Sequence, residues 1–428
     1  MNIFWFRRDL RLQDNAGLFH ALNNDEEVLP IFIFDENILS QLPENDARVT
    51  FIYTQLETIN NELIQKGKSL AVFYGTPKAI FEKLIVDNTI KTVFTNHDYE
   101  PYARKRDKEV YELLNNNSIE FKTCKDLVIF EKNEVVKDDG TPYVVYTPYS
   151  KKWKEKLSTT IVTHYPSETK INKIANHNYP FLSLEDIGFT KSLISVPHFD
   201  ISNKLIEQYQ ETRNFPALDG TSRLGIYLRF GVVSTREMVK KAQQFDNKTF
   251  LNELIWREFF IQILWHYPHT INSSFKPKYD AIKWSNNEAH FQKWCEGNTG
   301  YPFVDAGMRE LNTTGHMHNR VRMVVASFLC KHLQIDWRWG EAYFATKLLD
   351  YEQASNVGNW QWAAGSGVDA APYFRIFNPI EQLKKFDKDL EYTKKWIPEL
   401  ETSKYPKPIV EHKDAREKCL EMYKEALN

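Results

Sequence analysis

The sequence lacks the features that mark secreted, membrane-bound and metal-stabilised proteins. It has four cysteines in 428 residues, far apart and without a CxxC pair: Cys124, Cys295, Cys330 and Cys419. This spacing argues against zinc fingers and disulfide frameworks, and it is typical of a reducing compartment. No apolar stretch has the length of a signal-peptide core or a membrane span. We therefore expect a soluble cytoplasmic protein with no membrane partner and no bound metal.

Net charge is also nearly absent, at -2. The whole molecule has no attraction for DNA or for an anionic membrane, so a nucleic-acid site requires a local basic patch. With 42% hydrophobic and 26% charged residues, the composition is that of a globular protein. A chain of this length exceeds one ordinary core, which predicts at least two domains.

Tryptophan is scarce in the first half of the chain and frequent in the second. Only Trp5 and Trp153 of the 11 tryptophans precede residue 250. The stretch QASNVGNWQWAAG, residues 353–365, combines two tryptophans with two glycines and two asparagines, including Asn356. Tryptophan is both the largest apolar side chain and an easily oxidised one. The pair Trp360 and Trp362 therefore serves either core packing or electron transfer.

Periodicity divides the chain into three parts. Over residues 1–130, short apolar runs (NIFWF, VLPIFIFD, SLAVFYG and KTVFTNHDY) alternate with amphipathic stretches. This alternation predicts an α/β N-terminal domain with a parallel, doubly wound sheet. It carries no GxGxxG dinucleotide fingerprint after the first strand. Residues 131–200 show no lasting period and predict a long connector. Residues 201–428 show helical periodicity throughout, which predicts a large all-α domain.

Two helical segments place polar groups on one face. In NELIWREFF, Glu253, Trp256 and Arg257 stand at i, i+3 and i+4 and share a face. The segment is either an ordinary amphipathic helix with a surface salt bridge or part of a site. In MHNRVRMVV, Asn319, Arg322 and Met323 share a face within an otherwise apolar run. Such polar groups need partners inside, either a structural network or a ligand.

Two further stretches carry candidate ligand groups. FPALDGTSRLG ends a turn and predicts a following helix, with Thr221, Ser222 and Arg223 at its N-terminus. Hydroxyls, free N–H groups and a cation there suit an anion such as a pyrophosphate. Asp350 precedes QASNVGNW and is expected to pair with an arginine of the 318–322 segment.

Taken in order, several motifs resemble the DNA photolyases of the photolyase/cryptochrome family, and within it the class I cyclobutane pyrimidine dimer photolyases. They are FWFRRDLRLQDN, TSRLG, NELIWREFF, WCEGNTGYPFVDAGMRELNTTG, MHNRVRM and NVGNWQWAAGSGVDAAPYFRIFNP. The resemblance spans nearly the whole chain and is weakest over 131–200. It implies that the helical domain binds one flavin adenine dinucleotide (FAD). It also implies light-driven repair, in which an electron from the excited reduced flavin splits a pyrimidine dimer in DNA and then returns.

The resemblance assigns residues to the cofactor. Asn356 matches the residue beside flavin N5, where a neutral amide does not repel a reduced, anionic flavin. The full set matched to the cofactor is Tyr209, Thr221, Ser222, Arg223, Leu224, Trp256, Asn319, Arg322, Asp350, Glu352 and Asn356.

It also assigns residues to the lesion and to electron transfer. Trp256 and Trp362 wall a pocket for a flipped-out dinucleotide. Glu253, when protonated, donates to the pyrimidine carbonyl that gains charge. By the family pattern, Trp360, Trp337 and Trp284 conduct electrons between the flavin and the surface. The full set matched to DNA is Arg213, Glu253, Trp256, Arg257, Asn319, Arg320, Met323, Trp362 and Arg375. The expected partner is DNA containing pyrimidine dimers, bound by a monomer.

The sequence departs from the family pattern in two places. His316 stands where similar members carry tryptophan, and a titratable group there can alter flavin redox behaviour. The Cys-Lys pair of folate-type members is absent, whereas Glu100 matches an acidic antenna residue. A second, antenna chromophore is therefore a folate, a deazaflavin, a second flavin or none.

Other members of the family remain as alternatives. A (6-4) photolyase carries two successive histidines where this chain has His318 and Asn319. A cryptochrome-type blue-light receptor without repair activity often replaces the N5 residue or adds a long C-terminal tail. DASH-type members favour single-stranded DNA.

Overall fold

The alternating pattern of the first 130 residues produces a five-stranded parallel sheet, in the computed structural model that describes residues 1–427. The strands lie in the order β3-β2-β1-β4-β5 and are β1 Asn2–Phe6, β2 Val28–Asp35, β3 Ala71–Gly75, β4 Thr92–Asn96 and β5 Glu120–Cys124. Every residue of β1, β2 and β4 is buried, as expected when helices cover both faces. The predicted doubly wound α/β architecture is confirmed.

Strand β5 is the one strand that the sequence pattern does not predict. Its residues EFKTC are exposed or half-buried, and it pairs with β4 alone. An edge strand has one free side and needs no continuous apolar run, so its sequence resembles a loop.

The helices follow in chain order. They are α1 Ala16–Leu22, α2 Glu36–Leu39, α3 Ala47–Ile64, α4 Pro77–Asp87, α5 Pro101–Asn116, α6 Tyr146–Thr159, α7 Asn203–Thr212, α8 Gly225–Arg229, α9 Thr235–Gln243, α10 Thr249–His266, α11 Glu288–Glu296, α12 Pro302–Thr314, α13 Asn319–Ser327, α14 Trp337–Lys347, α15 Gln353–Ala364, α16 Pro379–Phe386, α17 Glu391–Trp396 and α18 His412–Leu427. Short 3₁₀ turns lie at Ser167–Lys173, Glu185–Ile187, Pro268–Ile271 and Pro277–Ala281, and a π-helical turn, Phe328–His332, extends α13.

The chain forms two units. The first comprises Met1–Val135, Lys152–Val196 and Leu224–Gln244, and the second comprises Val136–Lys151, Pro197–Arg223 and the chain from Phe245 onward. The predicted division into 1–130, 131–200 and 201–428 stays a prediction. The observed grouping differs from it because α8 and α9 belong to the first unit and the predicted connector is shared between both.

A buried cluster of charges explains why α9 belongs with the sheet. The Asp126 carboxylate accepts hydrogen bonds from Arg11 at 2.7 Å and from Arg236 of α9 at 2.9 Å. Asp14 accepts from Arg236 at 3.1 Å and also from Ser234. These contacts join residues more than a hundred positions apart, which no local pattern reveals.

Asp14 also brings a ligand atom to within 4.8 Å of His164 and Glu237, a spacing that could hold a metal ion. The Asp14 carboxylate already accepts hydrogen bonds from Arg236 and Ser234, so donors within the protein satisfy it.

The second unit has its own apolar core. The core runs from Trp294 on α11 through α12, α13 and α14 to Trp360 and Ala364 on α15. The sequence prediction of a helical region after residue 201, without strands, holds over the part of the chain that the structure describes. Among residues 1–427, no helix combines the length and apolarity needed to cross a membrane.

Candidate active site

A cavity that opens to solvent lies in the second unit. Helices α13, α14 and α15 and the loop before α15 provide its wall. Seven residues that the family resemblance assigns to the cofactor or the lesion line it together, beside Trp360 of the expected electron path: Asn319, Arg322, Met323, Asp350, Glu352, Asn356 and Trp362. Helical spacing explains why Asn319, Arg322 and Met323 lie together at the cavity, because they occupy one face of α13.

An ion pair lies in the wall of this cavity. Arg322 donates to Asp350 Oδ2 at 3.0 Å and, through Nε, to the Met317 carbonyl at 2.7 Å. The expected pairing of Asp350 with an arginine of the 318–322 segment is therefore present. The other oxygen, Asp350 Oδ1, is buried without a hydrogen-bond partner in the protein. Leaving a buried acceptor unsatisfied costs about 1–3 kcal/mol, so this atom is suited to a donor on a ligand.

A second ion pair lies beside the first. Arg257 on α10 approaches the buried Glu352 carboxylate at 3.1 Å, and both side chains are nearly enclosed. Arg257 reaches Glu352, 95 residues away at the start of α15. Of the two readings of this helix, the nearly enclosed pair favours part of a site over an exposed salt bridge.

Asn356 is buried, and a neighbouring helix fixes its orientation. Its amide donates to both the carbonyl and the carboxylate of Glu341, at 3.2 and 3.0 Å. Burial raises the pKa of Glu341, and the hydrogen bond from Asn356 partly opposes that rise. Sequence reasoning missed Glu341, since nothing in its local pattern distinguishes it from other charged residues of α14.

Glu253 and Arg213 form an ion pair outside the group of cavity-lining residues. The Arg213 guanidinium contacts the Glu253 carboxylate, and each side chain is about one-third exposed. Burial raises the pKa of Glu253, whereas the positive charge of Arg213 lowers it. Glu253 is thus easier to protonate than an ordinary glutamate, as a hydrogen-bond donor requires.

Trp256 lies one helical turn after Glu253 and is partly buried. Tyr146 stacks on its indole with ring centroids 3.6 Å apart and planes inclined by 4°. Tyr146 comes from the predicted connector, and sequence reasoning gave it no role.

Arg320 lies at the start of α13. It donates to Asn214 at 2.7 Å and covers the Phe386 ring at 4.3 Å. Its Nε is buried without a partner, and burial together with the nearby Arg213 lowers the pKa of Arg320. Two guanidinium groups close together, such as those of Arg320 and Arg213, favour the binding of an anion between them.

His318 caps α13 by accepting from the Arg320 backbone N–H at 3.2 Å. Burial lowers its pKa to about 4, and its Nε2 has no partner. His316, the departure from the family pattern, lies 3.4 Å from the Glu310 carboxylate.

The predicted phosphate-binding segment differs from expectation. Helix α8 begins at Gly225 and its N-cap is Leu224, so Thr221, Ser222 and Arg223 do not start it. Arg223 has a positive φ of 52°, which breaks the helical path before the helix begins, and its guanidinium pairs with Asp219 at 2.9 Å. Leu224 is buried in the first unit.

Tyr209 and Arg375 are not brought to the wall of the cavity. Tyr209 packs edge-on against Phe250 at 5.4 Å, and burial raises its pKa. Arg375 is exposed in the loop after α15.

The three tryptophans assigned to electron transfer belong to one apolar cluster. Trp360 and Trp337 are buried in it, and Trp284 packs against it half-buried. Trp360 also contacts Trp294 at 6.1 Å and Phe344 at 5.0 Å, and sequence reasoning named neither of these. Trp284 packs edge-on against Tyr423 of α18 at 6.0 Å.

Glu100 lies in the first unit, immediately before α5. Its carboxylate forms ion pairs with Arg8 and Arg229, each at 3.3 Å. Its predicted role beside an antenna chromophore stays a prediction.

Comparison with known proteins agrees with this geometry. Residues 250–404 match the family model described as the FAD binding domain of DNA photolyase, and residues 2–168 match the model described as DNA photolyase. The deoxyribodipyrimidine photo-lyase of Escherichia coli is 35% identical over 99% of this chain and 98% of its own. The chain belongs to the DNA photolyase family.

Two solved structures are similar over almost the full length. A bacterial class III photolyase from Agrobacterium tumefaciens covers 99% of this chain and 97% of its own, with a TM-score of 0.88 and 33% identity. An archaeal photolyase from Sulfolobus tokodaii, solved with two FAD molecules, covers 99% of this chain and 100% of its own, with a TM-score of 0.84 and 34% identity.

The polar groups that line the cavity fit a bound FAD. It offers the Asp350 oxygen without a protein partner, a guanidinium beside it, and a buried amide held in one orientation by Glu341. Buried polar groups of this kind need a polar ligand to complete their hydrogen bonds.

Proposed function

We propose that this photolyase is a deoxyribodipyrimidine photo-lyase, which uses light and bound FAD to reverse cyclobutane pyrimidine dimers in DNA. The observation that carries the proposal is the common cavity, because residues scattered over 44 positions, from Asn319 to Trp362, line one wall. Relatives with this enzyme's name, from bacteria and an archaeon, align over 98–100% of the chain.

When bound, reduced FAD supplies the light-driven electron for repair. The Arg322–Asp350 pair binds polar groups of the cofactor, and Asn356, oriented by Glu341, presents a neutral amide to it. Because an amide carries no charge, it does not raise the energy of an electron-rich ring nearby.

The lesion is held by side chains with separate tasks. Trp256 and Trp362 supply apolar walls for an extruded dinucleotide, whose poor stacking lowers the cost of extrusion. Glu253 holds a proton at its carboxyl group and donates it as a hydrogen bond to the pyrimidine carbonyl that gains charge. Arg213 and Arg320 neutralise flanking phosphates, which makes binding dependent on salt.

Finer assignments form part of the same proposal. We assign the enzyme to the class I type, acting as a monomer in the cytoplasm, with Trp360, Trp337 and Trp284 as its electron path. The class is the first of these points to test, because a class III photolyase is among the similar solved structures.

The second chromophore is a folate, a deazaflavin, a flavin or none. An archaeal relative solved with two FAD molecules makes a flavin a reasonable first choice to test. The (6-4) and receptor alternatives are not favoured by the names of the curated relatives.

The decisive experiment measures repair of an oligonucleotide with one cyclobutane thymine dimer. Photoreduced protein is illuminated with blue light, beside a dark control and an oligonucleotide carrying a (6-4) lesion. We expect light-dependent reversal of the cyclobutane dimer alone. Flavin binding without repair of either lesion would instead indicate a light receptor, and repair of the (6-4) lesion alone would indicate the other photolyase type.

A further inference from the structure

Tyr146 and Trp256 form an unusually close ring pair. Their centroids are 3.6 Å apart and their planes differ by 4°, so the rings lie nearly face to face. Aromatic pairs prefer an offset or edge-on arrangement to a full sandwich, because the negative faces of the two rings repel. The arrangement therefore needs other contacts that hold Tyr146 in place.

A hydrogen bond contributes to this restraint. The Tyr146 hydroxyl donates to the Asn252 carbonyl at 2.9 Å, one helical turn before Trp256 on α10. Burial raises the pKa of Tyr146, which keeps the phenol protonated and able to donate.

The first turn of α6 packs against α10 through a second tyrosine as well. Tyr149 follows three residues after Tyr146, on the same helical face. It is buried and contacts Phe259 at 5.2 Å. The turn is therefore anchored at two points, and its position does not depend on the Trp256 stack alone.

Other rings also restrain Trp256. Phe260 lies near-parallel to the indole at 5.6 Å, and Phe259 packs edge-on at the same distance. Trp256 nevertheless stays partly exposed. A tryptophan fixed by three rings, with part of its surface accessible, is a rigid wall and loses little side-chain entropy when a ligand packs against it.

We propose that Tyr146 is a positioning residue for lesion recognition, which holds the Trp256 indole in the orientation against which a flipped-out pyrimidine dimer packs. The inference rests on the proposed function and adds a specificity residue from outside the helical segments that carry the family motifs. Tyr146 acts through Trp256, so its removal weakens lesion binding and leaves the chemistry of the bound lesion unchanged.

The test compares dark binding of two oligonucleotides that are identical except for one cyclobutane thymine dimer. Flavin-loaded, full-length wild type is compared with Tyr146→Ala, Tyr146→Leu and Tyr146→Phe. Tyr143→Ala is the matched control, because Tyr143 packs on Tyr149 in the same segment. An aromatic pair of this kind corresponds to about a three- to tenfold change in an equilibrium constant.

We expect the Ala and Leu variants to bind the dimer about three- to tenfold more weakly, with unchanged affinity for the undamaged strand. The Tyr143→Ala control should match wild type, and the Phe variant, which keeps the ring but loses the hydrogen bond to Asn252, should lie between wild type and the Ala variant. At saturating DNA, repair per absorbed photon should be the same in all variants, which a general structural defect would not allow. Flavin content and thermal midpoint report folding, and the Leu variant decides the outcome if the Ala variant is unstable.

Wild-type dimer affinity in both the Ala and Leu variants overturns the inference, as does an equal loss in Tyr143→Ala. Failure of the proposed function is distinguishable from either result, because wild type itself would then show no preference for the dimer.

Discussion

Asp126 in the first unit and Asp350 in the second differ in how their carboxylate oxygens are satisfied. In the first, the Asp126 carboxylate is satisfied by Arg11, Arg236 and the Ala16 backbone N–H. In the second, Asp350 Oδ1, His318 Nε2 and Arg320 Nε are buried without partners. The network around Asp126 is closed at the carboxylate, because both oxygens have donors, and it stabilises the fold. The network around Asp350 is open, because buried donors and acceptors lack partners that a ligand can provide. Substitution should therefore affect stability in the first case and ligand binding or repair in the second.

The largest expected effect is on the stability of the first unit. Asp126→Asn removes the anion between two buried guanidinium groups and should destabilise the protein by about 3–5 kcal/mol. Thermal and denaturant unfolding measure this loss. Glu381→Gln is the control, because its pair with Lys384 is exposed on both sides and should contribute under about 1 kcal/mol. A wild-type unfolding midpoint in Asp126→Asn would contradict the structural role of the closed network.

The same carboxylate has a definite pH dependence. Burial raises its pKa, but Arg11 and Arg236 outweigh burial and lower it overall. A depressed folded-state pKa gives stability that is fully present above the unfolded value, about 3.9, and is lost as the pH falls through the folded value. The stability difference between wild type and Asp126→Asn should therefore shrink in acid.

The second prediction concerns Glu253 and repair. Glu253→Ala should lower the repair rate by about 10²-fold, the usual cost of one lost donor to developing charge. Flavin content should stay the same. Glu253→Gln should retain part of the activity, since its amide still donates. Single-turnover illumination of bound dimer measures the rate, and an undiminished rate in the Ala variant would exclude the carboxyl as a donor.

A pH series sharpens this prediction. Because burial raises the pKa of Glu253, the protonated donor persists to higher pH than in an ordinary glutamate and is lost as the pH rises further. Wild-type repair should decline with rising pH, while Glu253→Gln should show no such decline. An equal slope in both proteins would assign the titration to another group.

The third prediction tests the open network directly. Asp350→Asn should weaken FAD binding by about ten- to a hundredfold, the equivalent of about 1–3 kcal/mol, and leave the thermal midpoint of the flavin-free protein unchanged. Equilibrium flavin release measures the affinity. Glu399→Gln, in the Arg309 pair outside the cavity, is the matched carboxylate control and should bind flavin normally. A lower midpoint with normal flavin affinity would make Asp350 a structural residue.

The smallest effect on repair is expected at Trp284. Trp284→Phe should slow photoreduction of the oxidised flavin, while chemically reduced protein repairs dimers as wild type does. Flavin absorbance under blue light follows the reduction. Trp396→Phe is the control, because Trp396 packs half-buried against the same cluster. Equal photoreduction in wild type and Trp284→Phe would remove Trp284 from the electron path.

Local pattern predicts those parts of the site that lie on single helices. The α13 face with Asn319, Arg322 and Met323 follows from 3.6-residue periodicity, and the structure places all three at the cavity. The same reasoning fails for Thr221–Arg223, where a positive φ at Arg223 delays the start of the helix to Gly225. A backbone reversal of this kind depends on what surrounds the loop, which the local sequence does not specify.

Sequence by itself determined the parallel α/β sheet, the helical second half, and the identity of the residues that resemble the photolyase motifs. These depend on periodicity and on order along the chain. Tertiary structure alone decided that α9 joins the sheet through Arg236 and Asp14, that Glu341 orients Asn356, and that Tyr146 stacks on Trp256. Each of these contacts joins elements distant in sequence. Packing and the pairing of buried charge select such contacts only when the chain is folded.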